Sequence, residues 1–387
     1  MGPKIVVSAG ERSGDTHAAN LVREVLHRRP EVRFEGFGGD LLASAGCKVH
    51  EDLASVASMG VGFVAHLRQY IRAIRTFHRI LMEDRPTCVV LVDSPGFNFA
   101  LARVATWCGV PVVYYICPQI WAWAPWRLSK VLRYTDLLLT ILPFEEALYR
   151  NDEVPVVGVG HPAGDSLAQV SPHAGEELRA RLRISPEDRV IAILPGSREH
   201  EVVGLMPLFR EIIDRMELDP QHTRLLISAF KEPYRAAVEE SLFGCRIPHE
   251  ALADDSRAIT QASDLVLVAS GTASLEVAFY EKPMLVLYHT SRWKQLLYEL
   301  FSVTPYFAMP NILGAGWNGG EPLVLEKICN GGEAAELAPV ATSLLMDGPA
   351  RRRQIELLRD LKERAIAPGA TARAAQALLE FIARLEI

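Results

Sequence analysis

Strand-length apolar runs alternate with longer amphipathic stretches from the fourth residue onward, and this alternation occurs as two separate series. The first series holds Lys4 to Ala9, Arg33 to Gly36, Thr87 to Asp93, Val110 to Cys117 and Leu137 to Leu142. The second holds Val190 to Leu194, Arg224 to Ser228, Leu265 to Ala269 and Met284 to Tyr288. Continuous apolar strands separated by helices belong to parallel sheets covered on both faces. Between the series lies the Gly/Pro stretch Val157-Gly158-Val159-Gly160-His161-Pro162, and 387 residues suffice for two cores. The expected organisation is α/β, with one parallel-sheet domain over 1–165 and another over 166–349. Helices over 350–387, read as Ala350 to Ala365 and Thr371 to Leu385, follow, with Arg351-Arg352-Arg353 on a solvated face.

Composition narrows the function classes. Hydrophobic residues make up 49% and charged residues 23%, a globular mix, and the net charge of -6 argues against broad nucleic-acid binding. No window approaches the roughly 20 apolar residues of a membrane span, and Met1-Gly2-Pro3-Lys4 lacks the pattern of a signal peptide. A cytoplasmic location is therefore expected. The six cysteines lie apart without a CxxC pair and read as buried thiols. No two aspartates stand two positions apart and no HExxH spacing occurs, so neither a metal nor any other cofactor is expected.

Ligands of parallel α/β sheets bind at the carboxyl ends of the strands, which singles out four places. After Leu265 to Ala269 come Ser270-Gly271-Thr272-Ala273, small residues opening a helix whose N-terminal N–H groups and dipole suit a phosphate. Glu276, one turn on, can accept from two ribose hydroxyls. The plainer reading is that Ser270 and Thr272 cap the helix. After Ile191 to Leu194 come Gly196, Ser197 and Arg198, where a guanidinium fork suits a leaving diphosphate, unless Arg198 is a surface residue paired with Glu201.

The third place, Ser8-Ala9-Gly10-Glu11-Arg12-Ser13-Gly14-Asp15, lacks both the GxGxxG and the GxxxxGK[ST] spacing, which discounts dinucleotide enzymes and nucleoside triphosphatases. The acidic Glu11 and Asp15 fit sugar hydroxyls better than phosphate. At the fourth, Asp93 ends an apolar strand and is either a general base or a structural residue that caps the helix that follows or ties down the loop. Further, from Met59 to Leu81 the apolar positions Phe63, Val64, Leu67, Ile71, Ile74, Phe77 and Leu81 form one stripe and Arg68, Arg72, Arg75 and Arg79 another. Such a helix rests on an anionic membrane or holds a phosphorylated lipid, or simply docks with one face solvated.

These motifs, taken in order, resemble the lipid A disaccharide synthases, inverting glycosyltransferases of the GT-B fold. The likeness rests on Ser8-Ala9-Gly10-Glu11 with Ser13-Gly14-Asp15, Met59-Gly60, Asp93-Ser94-Pro95 with Phe97-Asn98, and Pro118 with Trp121-Ala122-Trp123. It continues through Leu142-Pro143-Phe144-Glu145, Gly160-His161-Pro162, Leu194-Pro195-Gly196-Ser197-Arg198, Ala269-Ser270-Gly271-Thr272-Ala273 with Leu275-Glu276, and Pro310-Asn311.

The resemblance implies two Rossmann-like domains facing across a cleft, with the C-terminal helices returning toward the first. It implies transfer of 2,3-diacylglucosamine from UDP-2,3-diacylglucosamine to 2,3-diacylglucosamine 1-phosphate, giving a β-1,6 disaccharide and UDP, at the inner face of the inner membrane of a Gram-negative bacterium. Asp93 becomes the expected base, with Glu11 the next candidate. Gly196, Ser197, Arg198, Ser270, Gly271, Thr272, Glu276 and Asn311 hold the donor; Ser13, Asp15, Arg68, Arg72 and Arg75 hold the acceptor or its lipid. Gly96 stands where the family commonly has a second Asp, Gly39-Asp40 lacks a basic residue often found there, and the Gly-rich loop Gly314 to Glu321 departs from the family pattern. Rival expectations are an epimerase or peptidoglycan transferase using UDP-N-acetylglucosamine on the same fold, or a non-catalytic nucleotide-binding relative.

Overall fold

Each central strand is apolar along its whole length because helices cover both of its faces, and the pairing is parallel throughout the described sheets. The structure, a computed structural model, describes residues 2–53, 63–151, 153–229, 232–253, 256–291, 293, 295 and 302–386. The chain divides into two compact units, Met1–Asp165 with Ala367–Ile387, and Ser166–Ile366.

In the first unit β1 (Lys4–Ala9), β2 (Arg33–Gly38), β3 (Cys47–Asp52), β4 (Cys88–Val92), β5 (Val112–Tyr115), β6 (Leu137–Thr140) and β7 (Val156–Gly158) form a seven-stranded sheet in the order β3-β2-β1-β4-β5-β6-β7. Its helices include α1 (Arg12–Arg28), α2 (Asp40–Ser44), α3 (Phe63–Asp84), α4 (Pro95–Trp107), α5 (Leu128–Arg133) and α6 (Glu145–Tyr149). Phe77 and Leu81 of α3, Leu101 of α4, Val131 of α5 and Tyr149 of α6 meet in one core over β1, β4, β5 and β6. Full burial of such side chains stabilises by about 1.5–3 kcal/mol each. The last helix, Ala370–Leu385, packs against α1 in this same unit. Its start is fixed by Asp165, whose carboxylate accepts the N–H of Gly369 at 2.5 Å and of Thr371 at 2.8 Å.

In the second unit β8 (Arg189–Leu194), β9 (Thr223–Ser228), β10 (His249–Leu252), β11 (Leu265–Ala269), β12 (Met284–His289) and β13 (Leu325–Cys329) run in the order β10-β9-β8-β11-β12-β13. Helix α7 (Glu199–Arg215) follows β8 and α8 (Thr272–Phe279) follows β11.

Nine strands were expected in the apolar runs and appear where those runs lie; β3, β7, β10 and β13 were not expected, and these are the edge strands of the two sheets. Their sequences, CKVHED, VVG, HEAL and LEKIC, are short or half polar, since an edge strand is covered less completely. Two finer expectations also change. Arg351 is not solvated: 14% of its side chain is exposed, and it donates to the carbonyls of Asp264 at 2.5 Å and Leu344 at 2.9 Å. The stripe on α3 is rotated, with Ala73, Phe77, Ile80 and Leu81 buried but Ile71 41% exposed. Residues 59–62 lie outside the described residues, as do the side chains of Phe63, Val64 and Leu67. The cysteines are free, and Cys47, Cys88, Cys117 and Cys329 are buried.

Candidate active site and nucleotide pocket

β8 and β11 are adjacent strands of the second unit, and their carboxyl ends open into one cavity of about 310 Å³. After β8, Gly196 turns with φ +112°, and a Cβ there would lie 2.8 Å from that of Glu201, so only glycine fits. Glu201 holds the turn by accepting the N–H of Ser197 at 3.0 Å and of Arg198 at 3.2 Å. Arg198 lies 3.5 Å from Glu201, yet 72% of its side chain is exposed and it lines the cavity. An ion pair so exposed is weak, and the guanidinium remains available to an anion.

After β11, Ser270 points its hydroxyl away to the Phe307 carbonyl at 3.3 Å. Gly271, at φ +152°, is the N-cap of α8, and no side chain caps that helix. The capping role open to Ser270 and Thr272 is thus not taken, and the N-terminus of α8 faces the cavity uncapped, as a phosphate seat requires. Glu276 lines the same cavity; burial raises its pKa and the nearby Arg257 opposes that rise. Ser228 at the end of β9 and Ser256 also line it, and sequence reasoning missed both. The position of Ser228 at the end of an expected strand was the available signal.

Asn311 does not line this cavity. It is fully buried, accepting from Leu323 N at 2.8 Å and Val324 N at 3.0 Å, and donating to Val324 O at 2.9 Å and Glu326 Oε2 at 3.0 Å. Glu326 in turn accepts the N–H of Phe307 and Ala308. Asn311 therefore anchors the segment on which Ser270 docks.

In the first unit β4 ends at Val92, and Asp93 and Ser94 follow with φ +49° and +46°, two successive non-glycine residues in the left-handed region. Such backbone costs of order 1–3 kcal/mol per residue and persists only where its surroundings impose it. The imposing groups are visible. The Asp93 N–H donates to Tyr115 O at 3.1 Å, while its carbonyl accepts from Asn98 Nδ2 at 2.7 Å and the Tyr114 hydroxyl at 2.9 Å. Asn98, fully buried, also accepts from Ser8 Oγ of β1 at 2.8 Å.

Asp93 is half-buried and precedes Ser94, the N-cap of α4. Burial raises its pKa, the Ser94 N–H works against this, and the charge of Glu11 adds to it. Gly10 abuts Ser94, since a Cβ at Gly10 would lie 3.0 Å from the Ser94 side chain. The loops carrying Glu11 and Asp93 are therefore neighbours. Gly96 has nothing within 4 Å of where its Cβ would stand, leaving open space in the first turn of α4.

The other expected residues of this unit divide. Glu11 and Ser13 are exposed. Asp15 is buried, with its carboxylate taking the N–H of Gly39 at 2.7 Å, Leu41 at 3.2 Å and Leu42 at 3.3 Å, which caps α2 and leaves little for a ligand. Arg68 and Arg75 are exposed on α3, whereas Arg72 makes a two-point contact with Glu51 at 2.5 and 2.8 Å. Trp121 and Glu145 prove to be one structural device, with the buried carboxylate accepting Trp121 Nε1 and the N–H of Ile141 and Leu142. Among the described residues no three His, Cys, Asp or Glu side chains gather as around a metal, and no helix is long and apolar enough to cross a membrane.

A family model described as lipid-A-disaccharide synthetase matches residues 5–378. The lipid-A-disaccharide synthase of Pseudomonas aeruginosa (strain UCBPP-PA14) is 31% identical over 385 residues, 99% of each chain. That of Myxococcus xanthus (strain DK1622) is 31% identical over 381 residues, 98% of each. Among solved structures, UDP-GlcNAc 2-epimerase from Neisseria meningitidis bound to UDP-GlcNAc superposes with a TM-score of 0.63 at 16% identity, covering 97% of this chain and 100% of that one. Acinetobacter baumannii MurG gives 0.60 at 14%, covering 98% and 99%. At such identities the likeness speaks for the fold alone, a pair of Rossmann-like units of the GT-B class.

Proposed function

The chain belongs to the lipid-A-disaccharide synthase family and is a glycosyltransferase of lipid A biosynthesis, and from that premise we propose which residues carry the transfer and on which substrates. The donor is UDP-2,3-diacylglucosamine, held on the second unit. Its diphosphate lies at the uncapped N-terminus of α8 with Arg198 beside it, and Glu276 accepts from the ribose hydroxyls. The acceptor is 2,3-diacylglucosamine 1-phosphate, held on the first unit. Asp93 takes the proton of the acceptor 6-hydroxyl as that oxygen forms its bond to the anomeric carbon. The bond from that carbon to the diphosphate oxygen breaks with inversion, and UDP leaves with the electron pair.

The observation that carries this reading is the strained turn at Asp93. Backbone strain maintained by Asn98 and Tyr114, at a strand end and on a carboxylate whose pKa burial raises, is the arrangement a general base needs.

Contact with an anionic membrane at the cytoplasmic face is part of the proposal. It is supported by the exposed Arg68, Arg75 and Arg79 of α3 and by Trp126, 72% exposed, next to the exposed Arg127, Lys130 and Arg133. Aromatic rings beside basic residues suit the interface of such a bilayer. The test of the reaction is mass spectrometry of products from UDP-2,3-diacylglucosamine with and without the monosaccharide 1-phosphate. The proposal expects disaccharide 1-phosphate and UDP only when both are present. An epimerised sugar nucleotide, or no turnover, would contradict it.

A further inference from the structure

The second unit holds another cavity, of about 420 Å³, that shares no residue with the nucleotide pocket. Helix α8 lies between the two, with Thr272, Ala273 and Glu276 lining the nucleotide pocket and Phe279, at its other end, lining the second. The second cavity has an aliphatic wall of Leu167, Ala168, Val170 and Pro172, faced by the Phe279 ring, on which Tyr280 packs edge-on at 5.3 Å.

Gln261 and the ammonium groups of Lys282 and Lys362 complete the lining, and none of the described lining residues is acidic. Lys282, half-buried, spends one donor on the Ser263 carbonyl at 2.9 Å. Lys362 donates to Glu281 at 2.9 Å and stands 4.9 Å from the centre of the Phe279 ring. An ammonium carries three N–H donors, so both retain capacity. Lys282 is also short of counter-charge. Burial lowers its pKa, and the guanidinium groups of Arg179 and Arg351 push the same way against Asp264.

We propose that this cavity is a binding site for an aliphatic carboxylate, with the chain against the wall from Leu167 to Pro172 and Phe279 and the head group on Lys282 and Lys362. A neutral lipid would leave Lys282 without an anion of its own, since Asp264 is already paired with Arg179 at 2.9 Å, and a small inorganic anion would leave Ala168, Val170 and Pro172 open to water. A fatty-acid anion satisfies both. Nothing in the proposed glycosyl transfer uses this site.

The test is calorimetric titration of the full-length protein with sodium dodecanoate, with UDP present at saturation to occupy the nucleotide pocket. Wild type binds dodecanoate with UDP present. Lys282→Gln weakens it about tenfold or more, the value of a charge-assisted hydrogen bond. Ala168→Trp, a larger side chain at an exposed position of the cavity lining, abolishes it, and dodecanol binds at least as poorly as dodecanoate does to Lys282→Gln. The proposal is overturned if wild type does not bind dodecanoate, if UDP displaces it, if dodecanol binds equally well, or if both variants bind as wild type does.

Discussion

At Ser94 two unfavourable features coincide: a left-handed backbone without glycine, and a buried hydroxyl with no hydrogen-bond partner among the described residues. Left-handed backbone costs a side-chain-bearing residue roughly 1–2 kcal/mol and an unsatisfied buried polar group about 1–3 kcal/mol. Ser94→Gly should therefore raise stability by about 1 kcal/mol after the extra entropy of glycine in the unfolded chain is subtracted. Urea denaturation measures it, and a loss of stability would mean that the hydroxyl is satisfied. Arg198 makes the opposite case, since its pairing with Glu201 is exposed and contributes little to stability. Arg198→Ala should leave the melting temperature unchanged while lowering kcat/KM by roughly 10² to 10³, as loss of a donor at a developing charge does; a change within threefold would remove it from the diphosphate site. Sequence reasoning picked out residues at strand ends well, because a carboxyl-end position is local information. It could not separate Asp93 from Asp15 or Asn311, whose partners lie 24 to 27 and 12 to 15 residues along the chain and are brought to them only by the fold.

Among the elements, α3 shows what periodicity carries and what it leaves out. Spacing by three and four made the segment a helix with a basic side, and the arginines do fall on its exposed surface. Which apolar residues face the core depends on what α3 packs against, and Tyr70, stacked on Phe97 of α4 with ring centres 4.8 Å apart, turns the helix so that Ile71 faces outward with the arginines. An exposed isoleucine beside basic residues fits a lipid surface better than bulk water. Replacing Arg68, Arg72, Arg75 and Arg79 by Gln should weaken binding to anionic vesicles in a co-sedimentation assay, each basic residue near such a surface being worth about 1 kcal/mol. Arg72 should contribute least, because Glu51 already neutralises it. Vesicle binding equal to wild type would make α3 an ordinary docked helix.

Over the whole molecule the duplicated alternation of strand and helix was enough to read two parallel-sheet units, because a central strand buried on both faces must be apolar throughout. The edge strands escaped notice for the same reason: β3 and β13 carry lysines and glutamates that a covered strand would not tolerate. That architecture gives each unit one chemical task in the proposed reaction, the second binding UDP and the first supplying the base, and the two are separable by substitution. Asp93→Asn preserves shape and hydrogen-bonding size while removing basicity, and a positioned base supplies about 10² to 10⁴ in rate. Since burial raises the Asp93 pKa, wild-type kcat/KM should also fall, as pH drops, through a value above that of an ordinary aspartate. The direct measurement is kcat, UDP affinity and melting temperature on one preparation of Asp93→Asn. The account predicts kcat lowered at least a hundredfold, with UDP affinity and melting temperature as in wild type. Retained kcat with a lowered melting temperature would make Asp93 a structural residue and contradict it.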